Sequence, residues 1–254
     1  IDHQLQDNSF KQAQQVVEQL AGIDTVIRKV EVDMVDGLEA SARRARYKAF
    51  EEFAAEVNAA AIFLAHTRDD QAETVLLGLA RGSGARSLSG MSADTGLYVR
   101  PFLDIKREET VKACQELNLS PWQDPHNDDE SFLRVKVRKN VLPILEKELG
   151  PGIANALARS SKLLRDDANA LDAEAEEFWK NDKSLEVTKL TAITRAVRTR
   201  VLRLWLFEQG IAHLSAEQIG AVEALVTNWH GQGEVSLPLG VKVSRISGRL
   251  SLSK

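Results

Sequence analysis

The sequence predicts an α/β fold: a parallel sheet in the first half, then a helical connector and a small α+β domain. Three observations carry this. Strand-like and helix-like stretches alternate as βαβαβα up to about Gly84. The apolar run Ala61 to Ala65 has the composition of a strand buried on both faces. Beyond the breaker Gly150-Pro151-Gly152, a long polar helical stretch leads to a piece with its own helices and short strands. The expected domains are residues 1–130, a connector 131–183, and 184–254.

Taken in order, Ile1 to Leu5 reads as the end of a strand. Lys11 to Leu20 is an amphipathic helix with Val16, Val17 and Leu20 on one side, stopped by Gly22. Thr25 to Val32 alternates β-branched and charged residues, as a strand does. Leu38 to Asn58 is rich in helix formers. Asp69 to Ala80 is helical with an inner stripe of Ala72, Val75, Leu76 and Leu79, and Gly82-Ser83-Gly84 ends it. Lys106 to Leu117 is a helix, followed by the loop Ser120 to Asp129. Val137 to Leu149 is helical, with Pro143 kinking it or marking a late start. A long helix spans Ile153 to Trp179. Helices over Leu190 to Phe207 and Ser215 to Asn228 precede strands near Glu234 to Leu237, Val241 to Ile246 and Arg249 to Leu252.

The composition bounds the function. Of 254 residues, 43% are hydrophobic and 28% charged, which excludes wholesale disorder. No apolar run approaches the ~18 residues of a membrane helix, so no membrane partner is expected. A net charge of −4 excludes a whole-chain basic footprint and leaves nucleic-acid binding to local patches. The lone Cys114 excludes an intrachain disulfide and a cysteine zinc site. It suits a cytoplasmic protein and reads as a small buried filler.

The strongest chemical signal is His66-Thr67-Arg68-Asp69-Asp70-Gln71-Ala72-Glu73, behind the buried strand and opening a helix. In an open parallel sheet, ligands bind beyond the carboxyl ends of the strands. Asp70 and Glu73, three apart, share a helix face. The competing reading is helix capping, which fits Asp69 well. Arg134, Lys136, Arg138 and Lys139 make a compact basic stretch suited to phosphates, or else a solvated face. The acids Asp166, Asp167, Asp172, Glu174, Glu176 and Glu177 form an acidic surface facing away from RNA. Trp229 and His230 suit core packing or a turn better than base stacking.

Ala65 to Thr74, followed by Leu79-Ala80-Arg81-Gly82-Ser83-Gly84, resembles the signature of the tRNA(Ile)-lysidine synthases. Ile1-Asp2-His3-Gln4-Leu5, Ala45-Arg46-Tyr47, Arg100-Pro101-Phe102-Leu103, the loop from Trp122 to Asp129, and Arg134 to Arg138 before Val141-Leu142-Pro143 agree in order. Gly231 to Arg249 is similar to the family's substrate-binding domain. The resemblance implies a PP-loop ATPase domain of the adenine nucleotide alpha hydrolase type. It implies ATP with Mg2+ as cofactors. The partners would be free L-lysine and an isoleucine tRNA with a CAU anticodon, with room for a homodimer. The reaction would adenylate the wobble cytidine and then join lysine to its C2.

Carried across, Asp70, Glu73, His66 and Arg138 are the expected catalytic residues. Asp70 would activate lysine, and Asp70 with Glu73 would hold the metal. Asp2, His3 and Arg46 would take the nucleotide; an ion pair of Arg46 with an acid such as Glu51 is the alternative. Asp69, Gln71, Arg81, Gly82, Ser83, Gly84, Arg134 and Lys136 would contact substrate. Val135 replaces the family's asparagine between its two arginines. The phosphate loop S-G-G-x-D-S occurs nowhere in these residues, and Gly82 to Gly84 is no substitute because it ends a helix instead of opening one. A strand, that loop and a helix are therefore expected before Ile1. The rivals are a tRNA thiolase, disfavoured by the single cysteine, and a tRNA-binding module without catalysis.

Overall fold

The computed structural model describes residues 1–6, 8–33, 37–82 and 84–253. The chain forms two compact units, one from residues 1–77 and 91–158, the other from 78–90 and 159–254.

In the first unit, helix α1 (Ser9–Gln19) and helix α2 (Leu38–Glu56) fall where the pattern places them. No residue of α1 is fully buried, so its apolar side is not core. The two expected strands around it reduce to one parallel bridge, Asp2 to Lys29. Asp2 N–H donates to the Arg28 carbonyl at 2.7 Å, and Val30 N–H donates to the Asp2 carbonyl at 2.9 Å. Strands β1 (Ile62–Phe63) and β2 (Tyr98–Val99) pair in parallel. The expectation of a strand buried on both faces fails at Phe63, which is 71% exposed, because that face of β1 is left uncovered by the described residues.

Helix α3 (Arg68–Ala80) leaves the carboxyl end of β1. Ala72 and Val75 are buried, but Leu79 is exposed and lies outside the expected stripe. Ala72 packs with Val137, Leu142, Leu76 and Leu157 in the core of this unit. Helix α5 (Arg107–Glu116) follows β2, after the short helix α4 (Ala85–Leu88) of the other unit.

The next helix begins before its expected start and absorbs its proline. Helix α6 (Leu133–Lys136) runs through a π turn, Val137–Val141, into helix α7 (Leu142–Glu148). Pro143 lacks an N–H and would crowd the carbonyl one turn back; the widened turn accommodates both effects. Helix α8 (Ile153–Asn181) then carries the chain into the second unit.

The second unit holds the larger core. One expected helix is two, helix α9 (Val187–Ala192) and helix α10 (Arg195–Glu208), because Thr194 turns out of helical geometry and its hydroxyl caps the Val197 N–H. Helix α11 (Ala216–Thr227) opens with a capping box in which Ser215 and Gln218 exchange hydrogen bonds. Strands β3 (Val235–Ser236), β4 (Lys242–Ile246) and β5 (Arg249–Ser253) form an antiparallel sheet in the order β3-β4-β5. Leu190, Val201, Leu206, Leu225 and Val243 are among the side chains that meet in the core.

Gly84 takes the N-cap position of α4 and so opens a helix, contrary to expectation. Gly82 itself has φ 63°, a value that favours glycine. At Gly78 an added Cβ would sit 3.2 Å from the Ser87 carbonyl, so glycine lets α3 approach α4 closely. Among the described residues, no helix is long and apolar enough to cross a membrane.

Candidate active site

The turn from β1 into α3 brings three acids and three arginines of the first unit together. Thr67 is the pivot. Its N–H and its hydroxyl both donate to Asp70 Oδ2, each at 2.8 Å, so Asp70 caps its own helix from the first turn. Asp69 does not cap α3. Its Oδ2 accepts the Arg107 backbone N–H at 2.8 Å and so caps the start of α5. The capping reading was right in kind and assigned to the wrong acid.

Asp70 Oδ1 faces Arg107 Nη2 at 2.8 Å and Arg138 Nη2 at 3.7 Å. Burial pushes its pKa up. The Thr67 N–H, the Arg107 guanidinium, the Thr67 hydroxyl and Arg134 outweigh that, and the net shift is downward.

Glu73, one turn along, has no solvent exposure. Arg138 Nε donates to Oε1 at 2.7 Å and Arg134 Nε to Oε2 at 2.8 Å; Arg107 Nη2 lies 3.5 Å from Oε1. Arg134 also reaches the Asp70 carbonyl at 3.1 Å and the Thr74 hydroxyl at 2.9 Å. Burial lowers the Arg138 pKa, but Glu73 and then the other acids reverse this and raise it, so its charge is permanent. Spacing explains the pair: Arg134 and Arg138 are four apart and share a face. Lys136 lies between them in sequence, is exposed, and does not join the cluster; the expected basic stretch is divided between two faces.

Magnesium is a poor match to Asp70 and Glu73. Both Glu73 oxygens are taken by guanidinium groups, and Asp70 Oδ2 by Thr67. Among the described residues, no group of three His, Cys, Asp or Glu side chains is placed to hold a metal ion.

His66 lies at the same edge with a buried Nδ1 that finds no hydrogen-bond partner. Burial lowers its pKa against the pull of Asp70, so the ring is neutral near pH 7. Gln71 is committed elsewhere. Its amide donates to the Met91 carbonyl at 2.9 Å and accepts the Met91 N–H at 2.7 Å, fixing the chain before β2.

A second group forms at the amino end. Arg46 Nε donates to His3 Nε2 at 3.1 Å, in place of the ion pair with Glu51, whose carboxylate accepts from the Tyr98 hydroxyl. Burial, then the Arg46 charge, lowers the His3 pKa to about 4. Asp2 Oδ2 and His3 Nδ1 are buried and make no hydrogen bond among the described residues.

Arg81, Gly82 and Gly84 are exposed residues of the second unit, and Ser83 lies outside the described residues. Val135, in the place of the family's asparagine, is buried and apolar. Arg107 is the residue that sequence reading missed. Its signal was its place at the start of a helix, four residues after an Arg-Pro turn that was noticed.

Residues 1–145 match the PP-loop domain family, and residues 185–251 match the family described as TilS substrate binding domain. The tRNA(Ile)-lysidine synthase of Thermobifida fusca is 47% identical over 100% of this chain and 81% of its own length. That of Leifsonia xyli is 46% identical over 99% of this chain and 79% of its own. That of Streptomyces coelicolor is 48% identical over 98% and 74%. With a PP-loop domain, a substrate-binding domain and this identity along its whole described length, the chain belongs to the tRNA(Ile)-lysidine synthase family.

Proposed function

We propose that the protein uses ATP to join free L-lysine to C2 of the wobble cytidine in a CAU-anticodon isoleucine tRNA. In the first step the cytidine C2 oxygen bonds to the α-phosphorus of ATP and diphosphate leaves. In the second the lysine ε-nitrogen bonds to C2, the C2–oxygen bond breaks, AMP departs with that oxygen, and the ammonium proton is lost. The observation that carries the reading is the Asp70–Arg107–Glu73 cluster at the carboxyl end of β1, in a chain of this family.

The residues divide the work. Asp70, held ionised, attracts the lysine ammonium; its lowered pKa makes it an anchor more than a proton acceptor. Neutral His66, with an unpartnered ring nitrogen, is the better proton acceptor at that edge. Arg134 and Arg138, oriented by Glu73, place fixed positive charge where negative charge develops. Asp2, His3 and Arg46 take the adenine nucleotide. Mg2+ accompanying ATP would offset the negative charge that builds as diphosphate leaves. Lysine, ATP and tRNA meet in the cytoplasm, where we place the reaction.

The test is incorporation of labelled lysine into that tRNA by the full-length protein with ATP. No incorporation by folded protein overturns the reading. Asp70→Asn keeps most of the helix cap and should abolish transfer with the fold intact; retained transfer would remove Asp70 from its role.

A further inference from the structure

The second unit contains a cleft of about 850 Å³ that the chemistry above does not use. Its walls come from the start of α4, the middle of α8, the outer face of α10 and the loop from α10 to α11. The size lies within the range of small-molecule sites. The cleft's apolar lining includes Leu204, Ile211 and the Phe207 ring, which is 68% exposed. Arg86, Arg200 and Arg203 line the walls.

Asp172 and Glu176 line the same cleft, so its arginines exceed its acids by one. Asp172, expected on a surface facing away from RNA, is shared by Arg86 and Arg200; its Oδ1 lies 2.6 Å from Arg200 Nε. Arg203 donates to the Leu214 carbonyl at 2.8 Å and has no carboxylate partner among the described residues. Burial and the neighbouring Arg200 lower its pKa, the sign of a cation crowded by its surroundings. His213, on the rim, holds φ 59°, a conformation uncommon for a side-chain-bearing residue. An exposed aromatic ring in a cleft that guanidinium groups also line matches a planar base joined to a phosphate. A bare anion needs no such ring, and an apolar ligand needs no such charges.

We propose that this cleft binds a nucleotide of a single-stranded RNA segment, with its base against Phe207 and Leu204 and its phosphate on Arg86 and Arg203. The choice of RNA over a free nucleotide rests on the function proposed above; the nucleotide chemistry rests on the cleft alone.

The experiment is equilibrium binding to the full-length protein of two probes, a CAU-anticodon isoleucine tRNA transcript and free AMP. The proteins are wild type, Phe207→Ala, Phe207→Trp and Arg203→Ala. Phe207→Ala should weaken tRNA binding by roughly 5- to 100-fold, the range for loss of one base stack, and Phe207→Trp should restore it. Arg203→Ala should weaken binding and reduce the slope of log affinity against log salt by about one. Equal tRNA affinity in wild type, Phe207→Ala and Arg203→Ala overturns the proposal. So does loss in Phe207→Trp equal to that in Phe207→Ala, which would report a structural role. AMP binding lost in the variants while tRNA binding is kept replaces the RNA strand with a free nucleotide and overturns the proposal as stated. Failure of wild type to incorporate lysine would sink the proposed reaction and leave these binding outcomes readable.

Discussion

Arg107 Nη2 lies 2.8 Å from Asp70 Oδ1, across 37 residues of sequence, while the backbone N–H of the same arginine holds Asp69. One residue at the start of α5 thus fixes both acids of the Asp69-Asp70 pair. Removing its side chain leaves the Asp69 cap in place and isolates the effect on Asp70. Arg107→Ala should raise the Asp70 pKa and lower kcat/KM for lysine by about 10- to 100-fold, the scale of one lost charged hydrogen bond. Carboxyl carbon NMR and steady-state kinetics measure the two effects. An unmoved Asp70 titration would show that Thr67 and the remaining arginines set its charge without Arg107.

Glu73 carries the folding consequence of the same cluster. Glu73→Gln leaves the shape and removes the charge that three guanidinium groups share in a solvent-free position. Breaking a buried ion pair from one side costs about 3–5 kcal/mol. Urea unfolding of the first unit should show a loss on that scale. A loss below about 1 kcal/mol would mean that the arginines find solvent or other partners.

His3 gives a dependence on pH. Its folded pKa, about 4, lies below its ordinary value of 6.5. Between these values the unfolded chain binds the proton and the folded protein does not, so stability rises with pH across that window. The contribution is complete above pH 6.5 and is lost as pH falls toward 4. Protonation would also end the role of Nε2 as acceptor for Arg46. Imidazole NMR should place the midpoint near 4, and His3→Asn should flatten the acid side of the stability curve. A midpoint near 6.5 would remove His3 from the buried neutral state.

In the second unit Arg198 and Glu223, each 8% exposed, pair at 2.8 Å, and Arg198 also donates to the Leu190 and Ile193 carbonyls. Glu223→Gln should cost about 3–5 kcal/mol by leaving the arginine uncompensated. Arg198→Met combined with Glu223→Leu should cost less than that single change, because both charges leave the core together. Denaturant midpoints for the two variants decide it. A double variant less stable than the single one would show that the pair is net stabilising.

The sequence made the helices legible where a single face or cap decides them. Leu38 to Asn58, Ser215 to Asn228 and the three C-terminal strands stand close to their expected limits. It failed where a distant residue sets the outcome. The burial of a strand depends on what covers it, which the Ala61 to Ala65 run cannot encode; Phe63 shows this. The break at Thr194 was hidden because apolar spacing continues across it. At the site, the family signature located Asp70 and Glu73, while Arg134 and Arg138 stood in the sequence only as part of one basic stretch with Lys136 and Lys139. The exchange of capping roles between Asp69 and Asp70, and the part played by Arg107, depend on α5 meeting α3. Nothing local in either segment specifies that meeting.

The two units are interleaved along the chain, since residues 78–90 belong with 159–254 while both of their flanks belong to the other unit. Neither unit is therefore a separable stretch of sequence. A fragment cut after Ala158 would keep α4 while losing two residues of α8 that hold it, Asp172, which pairs with Arg86, and Arg165, which donates to the Ser89 and Gly90 carbonyls. A fragment starting at Arg159 would lack one wall of its own cleft. Domain exchange between relatives of this family should therefore transplant the short segment along with the C-terminal half, or the chimaera inherits a unit with a mismatched piece.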